Sequence, residues 1–578
     1  MHKPFLFFIT LILTAHVFSQ APKETSLFPS KNYPKGYFTY PIDARVSLSG
    51  NFGELRTNHY HMGLDMRSDQ AENRPVKAAA DGYIARVSVA SGGFGRAIYI
   101  NHPNGLTTVY GHLNDFYPEL ENYLKEQQYK QQSWSTSIDL SPNQFPVKKG
   151  KFIASSGNTG GSGGPHLHFE IRDTKTDKVL NPLLFDLPIA DNIPPTIARL
   201  AMYDRCFSTY SQSPKNIPIK KVGANYSAIQ NVVTVNTDKV SFGITASDKQ
   251  AGSGFSNGIY ESIIYLNGVP LTGFQLDSID YNETRYLNAH IDYKTRAEGG
   301  PYIQHLSRLP GYPEGFYKDF NGDGVIELED DKVHDVKIVV KDANGNSTAL
   351  DFKIKKGLIT ETGEKDRSAS FYETREFHPG FVNVFENEQL HLFLSPAALY
   401  DSVSFNYVQR LSTSADAYSN VYSVFSGLIP VHDAFTIKIK PTKNIPDSLT
   451  GRMLIKRTWK GKTDVAPAKK EGDWYSSSFR TFGDFELIAD NNPPVIGGVA
   501  NGANLSQSKS IVFTPKDDNG IRSFRAEVDG KWLRFTNDKG RNFIYLFDEM
   551  VPRGKHTMKI TVEDLAGNVA ERVIDFTR

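Results

Sequence analysis

The chain has 578 residues, of which 39% are hydrophobic and 12% aromatic, enough for buried cores in roughly three to five domains. Its net charge of +1 falls to zero (1 − 1) without Lys3, the one charge among the first nineteen residues. A neutral chain gives no electrostatic case for nucleic acid or an anionic membrane as a partner.

The N-terminus predicts export. Residues 1–19 have a short basic start, an apolar run from Pro4 to Leu13 and small residues near Ser19, which is the layout of a signal peptide. The run is too short for an uncleaved membrane anchor, and we expect no transmembrane segment after cleavage. The single cysteine, Cys206, cannot form an internal disulfide, so stability must come from the cores. We therefore expect a protein of a bacterial periplasm or cell envelope, or a secreted one.

Two pairs of repeated segments divide the later part of the chain. "ADNIPPTI" (190–197) and "ADNNPPVI" (489–496) predict stiff joints, because each Pro-Pro pair fixes φ and forbids helix. Segments starting at His334 and His556 each predict two alternating strands joined by a turn ending in Gly-Asn. We predict two copies of an Ig-like β module, over 190–357 and 489–578, with another β-sandwich over 358–488. Spacing or adhesion is the expected role of these modules.

The first predicted module contains a possible calcium loop, "DFNGDGVIELED" (319–330). Carboxylate and amide oxygens stand at positions one, three, five and twelve, which are Asp319, Asn321, Asp323 and Asp330. Alternate oxygen ligands suit a hard cation. The competing interpretation is a solvated acidic turn, and the last position holds Asp rather than Glu.

The chemistry-bearing residues gather in the N-terminal part, where six of the fifteen histidines lie between residues 59 and 168. "GGSGGPHLHFEIR" (161–173) predicts a strand with His166, His168 and Glu170 on one face. "NHYHMGLDM" (58–66) holds His61 and Asp65 in an H-x-x-x-D spacing on extended chain.

The fourth candidate histidine follows a predicted hairpin. "RAIYINHPNGLTTVYGHL" (96–113) turns at Asn104-Gly105, and the spacing predicts Thr108, Tyr110 and His112 on one face of its second strand. Four histidines and Asp65 are therefore candidate metal ligands or bases. His59 is interpreted as a polar neighbour, with an alternative ligand as the other possibility.

These motifs, in this order, resemble the lysostaphin-type (LytM-like) zinc metallopeptidases over residues 36–185. The resemblance lies in "FGELRTNHYHMGLD", "PVKAAADGYIARV", "YGHL" and "SGNTGGSGGPHLHFEIR". It implies a mostly antiparallel β-sheet domain over 20–189, with the β modules following. It also implies that His61, Asp65 and His168 hold Zn²⁺, while His112 and His166 act on water and substrate beside the metal.

The implied reaction is hydrolysis of peptide cross-links in bacterial peptidoglycan, whose peptide stems would be the substrate. Two histidines and one carboxylate leave a fourth zinc position open, as catalytic zinc sites require. Two alternatives stay open: a LytM-like regulator without activity, and an envelope adhesion protein. The bond cut is also open between oligoglycine bridges and D-alanyl to diamino-acid cross-links. A helical insertion over 113–146 is expected to narrow the choice of substrate.

Overall fold

The computed structural model describes residues 27–29, 31–313, 315–358, 375–540 and 542–578. It divides the chain into two compact units, Met1–Asn32 and Tyr33–Arg578. The predicted signal peptide lies outside the described residues, as does part of the predicted second module. Within the described part, no helix combines the length and apolar character needed to cross a membrane.

The second unit begins with an N-terminal domain (residues 33–189) built on one large sheet. Its strands run, in spatial order, Leu48–Gly50, Leu64–Arg67, His166–Asp173, Leu106–Gly111, Arg96–Asn101, Gly82–Val89 and Thr136–Asp139. Shorter strands Pro146–Val147 and Val179–Leu180 join this sheet at Gly82–Val89 and His166–Asp173. A small sheet contains Pro75–Lys77, Phe152–Ser156 and Leu113–Phe116, and a hairpin contains Leu55–Arg56 and His59–Tyr60. The helices are Pro118–Gln131 and the 3-10 turn Pro182–Phe185.

Two sheets form the first sandwich (residues 190–357). One contains Lys215–Ile217, Thr196–Asp204, Lys239–Ser247, Gln304–His305 and Ile326–Glu327. The other contains Ile219–Val222, Asn225–Ala228, Ser347–Lys356, Val333–Lys341, Glu261–Leu266, Val269–Gln275, Tyr317–Asp319 and Val233–Val235. Short helices lie at Thr209–Ser211, Thr284–Tyr286, Leu287–His290 and Tyr293–Ala297.

The second sandwich (residues 375–489) pairs two five-stranded sheets. The first contains Asn383–Glu386, Leu390–Leu394, Pro430–Ile439, Trp474–Thr481 and Lys469–Glu471. The other contains Tyr407–Arg410, Val421–Val424, Gly483–Ala489, Met453–Trp459 and Lys462–Pro467. A separate pair joins Glu376–Phe377 to Val403–Ser404, and a 3-10 helix covers Asp447–Arg452.

The third sandwich (residues 490–578) is the smallest. Its sheets contain Val495–Gly498, Ser510–Lys516 and Phe543–Leu546, and Ala503–Asn504, Val569–Thr577, Lys555–Asp564, Ile521–Val528 and Lys531–Trp532. A short 3-10 turn lies at Asp538–Gly540. The mostly β fold class is confirmed: sheets dominate the N-terminal domain and the modules that follow it.

The N-terminal domain and the first sandwich share a core. Phe52, Tyr60, Met62 and Val179, each at most 4% exposed, belong to the same apolar cluster as the buried side chains of the sandwich. Strand Ser278–Ile279 of the sandwich also pairs with Val179–Leu180. The Pro-Pro joint after residue 189 therefore does not separate two independently packed bodies.

The insertion forms the predicted helix, Pro118–Gln131. It lies against the third sandwich, where Lys125 forms ion pairs of 2.9 Å with both Asp548 and Glu549. The Tyr129 ring meets the Trp532 ring edge-on at 5.5 Å between centroids. The helix thus links the N-terminal domain to the third sandwich. The spacing of residues in the sequence did not predict this contact.

Candidate metal centre

Three side chains predicted as metal ligands come together on the face of the large sheet. Asp65 lies in strand Leu64–Arg67 and His168 on its neighbour, directly opposite in the register. His61 comes from the segment before Asp65. His61 Nε2 and His168 Nδ1 lie 2.9 and 3.1 Å from Asp65 Oδ1 and 3.1 Å from each other.

The spacing of these donors fits a tetrahedral metal. Bonds of about 2.0–2.1 Å from zinc to nitrogen or oxygen give donor separations of about 3.3 Å in a tetrahedron. All three residues are buried, with 5–8% exposure. Within the described part of the chain, this is the one group of closely spaced donors that contains histidine.

Hydrogen bonds fix the orientation of both ligand rings. His61 Nδ1 donates to the Asn51 carbonyl at 2.8 Å, which leaves Nε2 without a proton in the neutral ring. His168 Nε2 donates to Glu170 Oε1 at 3.0 Å, which leaves Nδ1 for the metal. The two histidines therefore present opposite ring nitrogens to the same point.

The carboxylate that orients His168 belongs to a buried network. Glu170 is 0% exposed; Arg172 donates to its Oε2 at 2.7 Å, and the Tyr281 hydroxyl donates to its Oε1 at 2.5 Å. Burial alone would raise the pKa of Glu170, but Arg172 and His168 outweigh burial and lower it. Tyr281 comes from the first sandwich, so that sandwich reaches the metal centre through two hydrogen bonds.

Without a metal, the ligand carboxylate binds its neighbours as an anion. Burial works against the charged form of Asp65, but His61, His166 and His168 outweigh it and hold its pKa well below the usual range. The pKa of His168 rises to about 9, because its hydrogen bonds to the Asp65 and Glu170 carboxylates outweigh burial. Arg56 adds an ion pair of 3.0 Å to Asp65 Oδ2. Arg56, Arg172 and His168 thus offset the charges of the Asp65 and Glu170 carboxylates.

The two further histidines flank the ligands. Their ring centroids lie 4.8 Å apart, and that of His112 lies 5.8 Å from the His168 centroid. His112 Nδ1 donates to the Thr159 carbonyl and His166 Nδ1 to the Gly164 carbonyl, both at 2.8 Å. Burial, followed by His168 and His166, lowers the pKa of His112 to about 3, so its ring is neutral. Its unprotonated Nε2 is a proton acceptor.

One detail of the predicted hairpin is wrong. Tyr110 lies in the core opposite Phe169, with 0% exposure, so strict alternation would send His112 to the core as well. The backbone of His112 is instead left-handed, with φ of 60°, directly after the strand ends at Gly111. This local break turns the imidazole to the metal side.

Both faces of strand His166–Asp173 are buried, including the one that His166, His168 and Glu170 share. Leu167, Phe169 and Ile171 point to the core, each 0% exposed. The other face is covered by the site and by Tyr281. His59 stays apart: its Nδ1 contacts the Thr57 carbonyl at 2.8 Å, as for a polar neighbour.

The calcium prediction gains no support. Arg308 Nη2 pairs with Asp319 at 2.6 Å, and Lys332 Nζ pairs with Asp330 at 3.1 Å. The described residues contain three groups of closely spaced His, Cys, Asp or Glu donors, and none includes Asp319, Asp323 or Asp330. Arg308 and Lys332 satisfy Asp319 and Asp330, which disfavours a metal there.

The third sandwich contacts the glycine-rich loop (residues 157–164) beside the site. Asp538 Oδ1 accepts the Gly160 amide at 2.7 Å, and Lys539 Nζ donates to the Ser162 carbonyl at 2.6 Å. Ser162 Oγ lies 3.3 Å from His166 Nδ1. A turn from the far end of the chain therefore supports the loop that holds His166.

A His-Asp-His group on the face of a β-sheet is a candidate metal centre, and comparison with known families gives its domain a class. Residues 59–129 and 133–182 match the model of peptidase family M23, and residues 374–490 match a Zu5-like domain. The N-terminal domain is therefore a peptidase M23 (LytM-type) domain.

Two curated relatives are similar to a part of the chain. An uncharacterized metalloprotease of Haemophilus influenzae is 33% identical over 160 residues, covering 27% of this chain and 28% of its own. DD-carboxypeptidase/endopeptidase Mpg of Neisseria meningitidis is 33% identical over 165 residues, covering 28% and 29%. This chain thus spans less than a third of their length. Among solved structures, the catalytic domain of lysostaphin from Staphylococcus simulans is 23% identical with a TM-score of 0.18, covering 23% and 87%.

Proposed function

We propose that the chain is a zinc metalloendopeptidase that hydrolyses peptide cross-links of bacterial peptidoglycan in the cell envelope. The observation that carries this proposal is the set of donor atoms of His61, Asp65 and His168 at 2.9–3.1 Å, with His112 and His166 beside them. Its nitrogen and oxygen donors and its tetrahedral spacing suit Zn²⁺.

The protein's own groups supply the proton transfers. Bound zinc would lower the pKa of a coordinated water and polarise the scissile carbonyl. His112 carries its proton on Nδ1, so its Nε2 can accept a proton from the attacking water, while His166 Nε2 lies 3.2 Å from Asp65 Oδ1, beside the metal ligands. The resulting imidazolium can then return that proton to the leaving amine and stabilise the oxyanion.

The name of the Neisseria relatives, DD-carboxypeptidase/endopeptidase, supports a D-alanyl to diamino-acid bond over an oligoglycine bridge. The test is digestion of purified sacculi of both cross-link types by the zinc-loaded full chain, with products identified by mass spectrometry. We expect cleavage of the D-alanyl cross-links, lost after zinc removal and restored by zinc. The His112→Ala variant, with zinc retained, is the matched inactive control.

Folded, zinc-loaded protein that cleaves neither type of sacculus would contradict the proposal. The regulator would then be favoured if the chain stimulated another wall hydrolase. The adhesion alternative would be favoured if it only bound the sacculi.

A further inference from the structure

A second group of metal-type donors lies where the peptidase domain meets the first sandwich. Asp191 stands in the joint, Asp248 directly follows strand Lys239–Ser247, and Asp342 directly follows strand Val333–Lys341. One carboxylate oxygen of each lies within 4.8 Å of the others. No histidine or cysteine belongs to this group, so its donors are all oxygen.

Two of these carboxylates are held by the backbone around them. Asp342 Oδ1 accepts the amides of Asn344 and Asn346 at 2.9 Å, and Asn346 Nδ2 donates to its Oδ2 at 2.7 Å. Asp191 Oδ1 accepts the Ile193 amide at 3.0 Å. Both side chains are thus fixed in place around a common point.

The third carboxylate, Asp248, is buried with only the Lys249 amide and the Asp191 carboxyl group as hydrogen-bond partners in the described part of the chain, and no cationic one. It is 4% exposed, and its Oδ1 has no hydrogen-bond partner among the described residues. Among the described residues, no Lys or Arg forms an ion pair with Asp191, Asp248 or Asp342. A buried charge in this state is costly unless a cation joins it. Burial, with Asp191 and Asp342, raises the pKa of Asp248 to about 7.

A counterpart in the third sandwich shows what the first group lacks. Asp490 and Asp564 occupy the positions of Asp191 and Asp342 in the repeated segments, and Asp517 completes that group as Asp248 completes the first. There Asn519 Nδ2 donates to Asp490 Oδ2 at 2.8 Å. The matching position, two residues after Asp248, holds Gln250, whose Oε1 instead accepts the Leu48 amide at 3.1 Å. The first group therefore misses a donor that its counterpart has.

We propose that Asp191, Asp248 and Asp342 bind a hard divalent cation, Ca²⁺. Calcium takes six to eight oxygen ligands, including carboxylates, backbone carbonyls and water, in flexible geometry. The all-oxygen set and the uncompensated carboxylate favour it over zinc, which prefers nitrogen and sulfur.

The position gives this cation a structural role at the joint. Residues 249–258 follow Asp248 and contact the peptidase domain: Ser253 Oγ donates to the Leu48 carbonyl at 3.0 Å, and the Gly258 amide donates to Asn51 Oδ1 at 2.8 Å. Strand Leu48–Gly50 pairs with the strand that carries Asp65. Asn51 also orients His61. The cation would therefore fix a loop that supports the zinc site.

The test is equilibrium dialysis of the zinc-loaded full chain against about 1 mM Ca²⁺, where extracellular sites fill. Bound calcium is counted, and the melting temperature is measured with and without it. We expect one Ca²⁺ at this site and a higher melting temperature. Asp248→Asn, which keeps shape and removes charge, should weaken binding about tenfold or more. Asp191→Asn should do the same and serves if the first variant does not fold.

Two matched variants identify the site. Asp517→Asn removes the equivalent carboxylate of the third sandwich, and Asp319→Asn removes a carboxylate of the acidic loop predicted from sequence. Both should leave this calcium bound. Wild-type protein without bound calcium, or calcium lost in Asp517→Asn or Asp319→Asn but kept in Asp248→Asn, would overturn the proposal. The readout does not depend on peptidase activity.

Discussion

At the scale of single residues, position rather than hydrogen bonding divides the four site histidines by role. His61, His112 and His166 each donate from Nδ1 to a backbone carbonyl, while His168 donates from Nε2 to Glu170. Only His61 and His168 share the donor group with Asp65. The expected roles of the rings therefore follow from where each ring lies relative to Asp65, and not from which ring nitrogen donates a hydrogen bond.

We expect the five single alanine variants to fall into two classes. His61→Ala, Asp65→Ala and His168→Ala should lose both zinc and activity, because two remaining protein donors hold the metal poorly. His112→Ala and His166→Ala should keep zinc and lose about 10²–10⁴-fold in turnover, as positioned acid–base groups do. Metal analysis and a peptide cleavage assay on folded variants check this. A metal-free His112→Ala or a fully active His166→Ala would contradict the assignment.

Tyr281 is expected to act as a positioning residue through Glu170. Tyr281→Phe removes the hydroxyl that donates to Glu170, so His168 loses part of its support. We expect zinc affinity to fall about 10–100-fold, as for other partners of metal ligands. Competition with a zinc chelator measures it. Tyr203→Phe removes a similar bond, to Asp292 at 2.9 Å in the same sandwich, and should leave zinc affinity unchanged. Equal effects of the two variants would mean a general loss of stability instead.

The pKa of Asp248 predicts a pH effect without divalent cation. An acid whose folded pKa is raised holds more protons folded than unfolded, so its contribution to stability falls as pH rises from about 4 towards 7. Asp248→Asn should therefore gain stability relative to wild type over that range. Thermal unfolding of both proteins at several pH values, with a chelator, measures the difference. A difference that stays constant with pH would contradict the burial of this charge beside Asp191 and Asp342.

At the scale of elements, the glycine-rich loop needs at least one of its glycines for close packing against a neighbouring segment. Gly160 has φ of 67°, and a Cβ there would lie 2.3 Å from the Gly95 amide nitrogen. Gly163, in the same loop, has open space around its Cα. Substitutions at Gly160 and Gly163 therefore distinguish two reasons for a glycine in this loop. At Gly160 a side chain would collide with the neighbouring backbone, whereas at Gly163 it would only add bulk to an open surface.

We expect Gly160→Ala to destabilise the protein by about 1–3 kcal/mol and to lower activity, because left-handed strain adds to the clash. The displaced loop would also move Thr159, whose carbonyl holds His112. Gly163→Ala should be close to wild type. Thermal unfolding and the cleavage assay compare the two variants. Equal loss in both would point to substrate contact along the whole loop instead.

At the scale of the whole molecule, truncation should give different results at the two Pro-Pro joints. A chain ending at residue 189 exposes Phe52, Tyr60 and Met62, each worth about 1.5–3 kcal/mol when buried. We expect it to aggregate. A chain ending at residue 489 should stay folded, since the third sandwich has its own apolar cluster. Size-exclusion chromatography and thermal unfolding distinguish the outcomes. A soluble, stable 20–189 fragment would contradict the shared core.

The third sandwich is also expected to restrict access to the site. Asp538 and Lys539 contact the glycine-rich loop at Gly160 and Ser162. Replacing both by alanine should raise cleavage of cross-linked sacculi relative to a short peptide, because the larger substrate gains space. Arg525→Ala, which removes a contact to Gln132 at 2.8 Å, is the control on the same interface. An unchanged ratio of the two rates would show that the turn does not limit access.

The sequence by itself determined the parts that depend on local spacing. Alternation predicted the strands and the face that His166, His168 and Glu170 share, Asn-Gly predicted the hairpin turn, and the motifs predicted the residues that gather at the candidate metal centre. The peptidase domain and the mostly β architecture followed. These features are encoded within short segments. There the two-residue alternation along a strand, or the φ that a turn residue can adopt, decides the local structure.

Only the tertiary structure decided which distant residues meet. Tyr281 reaches Glu170 across 111 positions, and Asp538 reaches Gly160 across 378. The left-handed backbone of His112 interrupts the alternation of the strand before it. Arg308 and Lys332 neutralise Asp319 and Asp330, which therefore do not need a calcium ion. The group around Asp248 draws on three separate segments. Such contacts arise from packing between sheets, which no local pattern in the chain records.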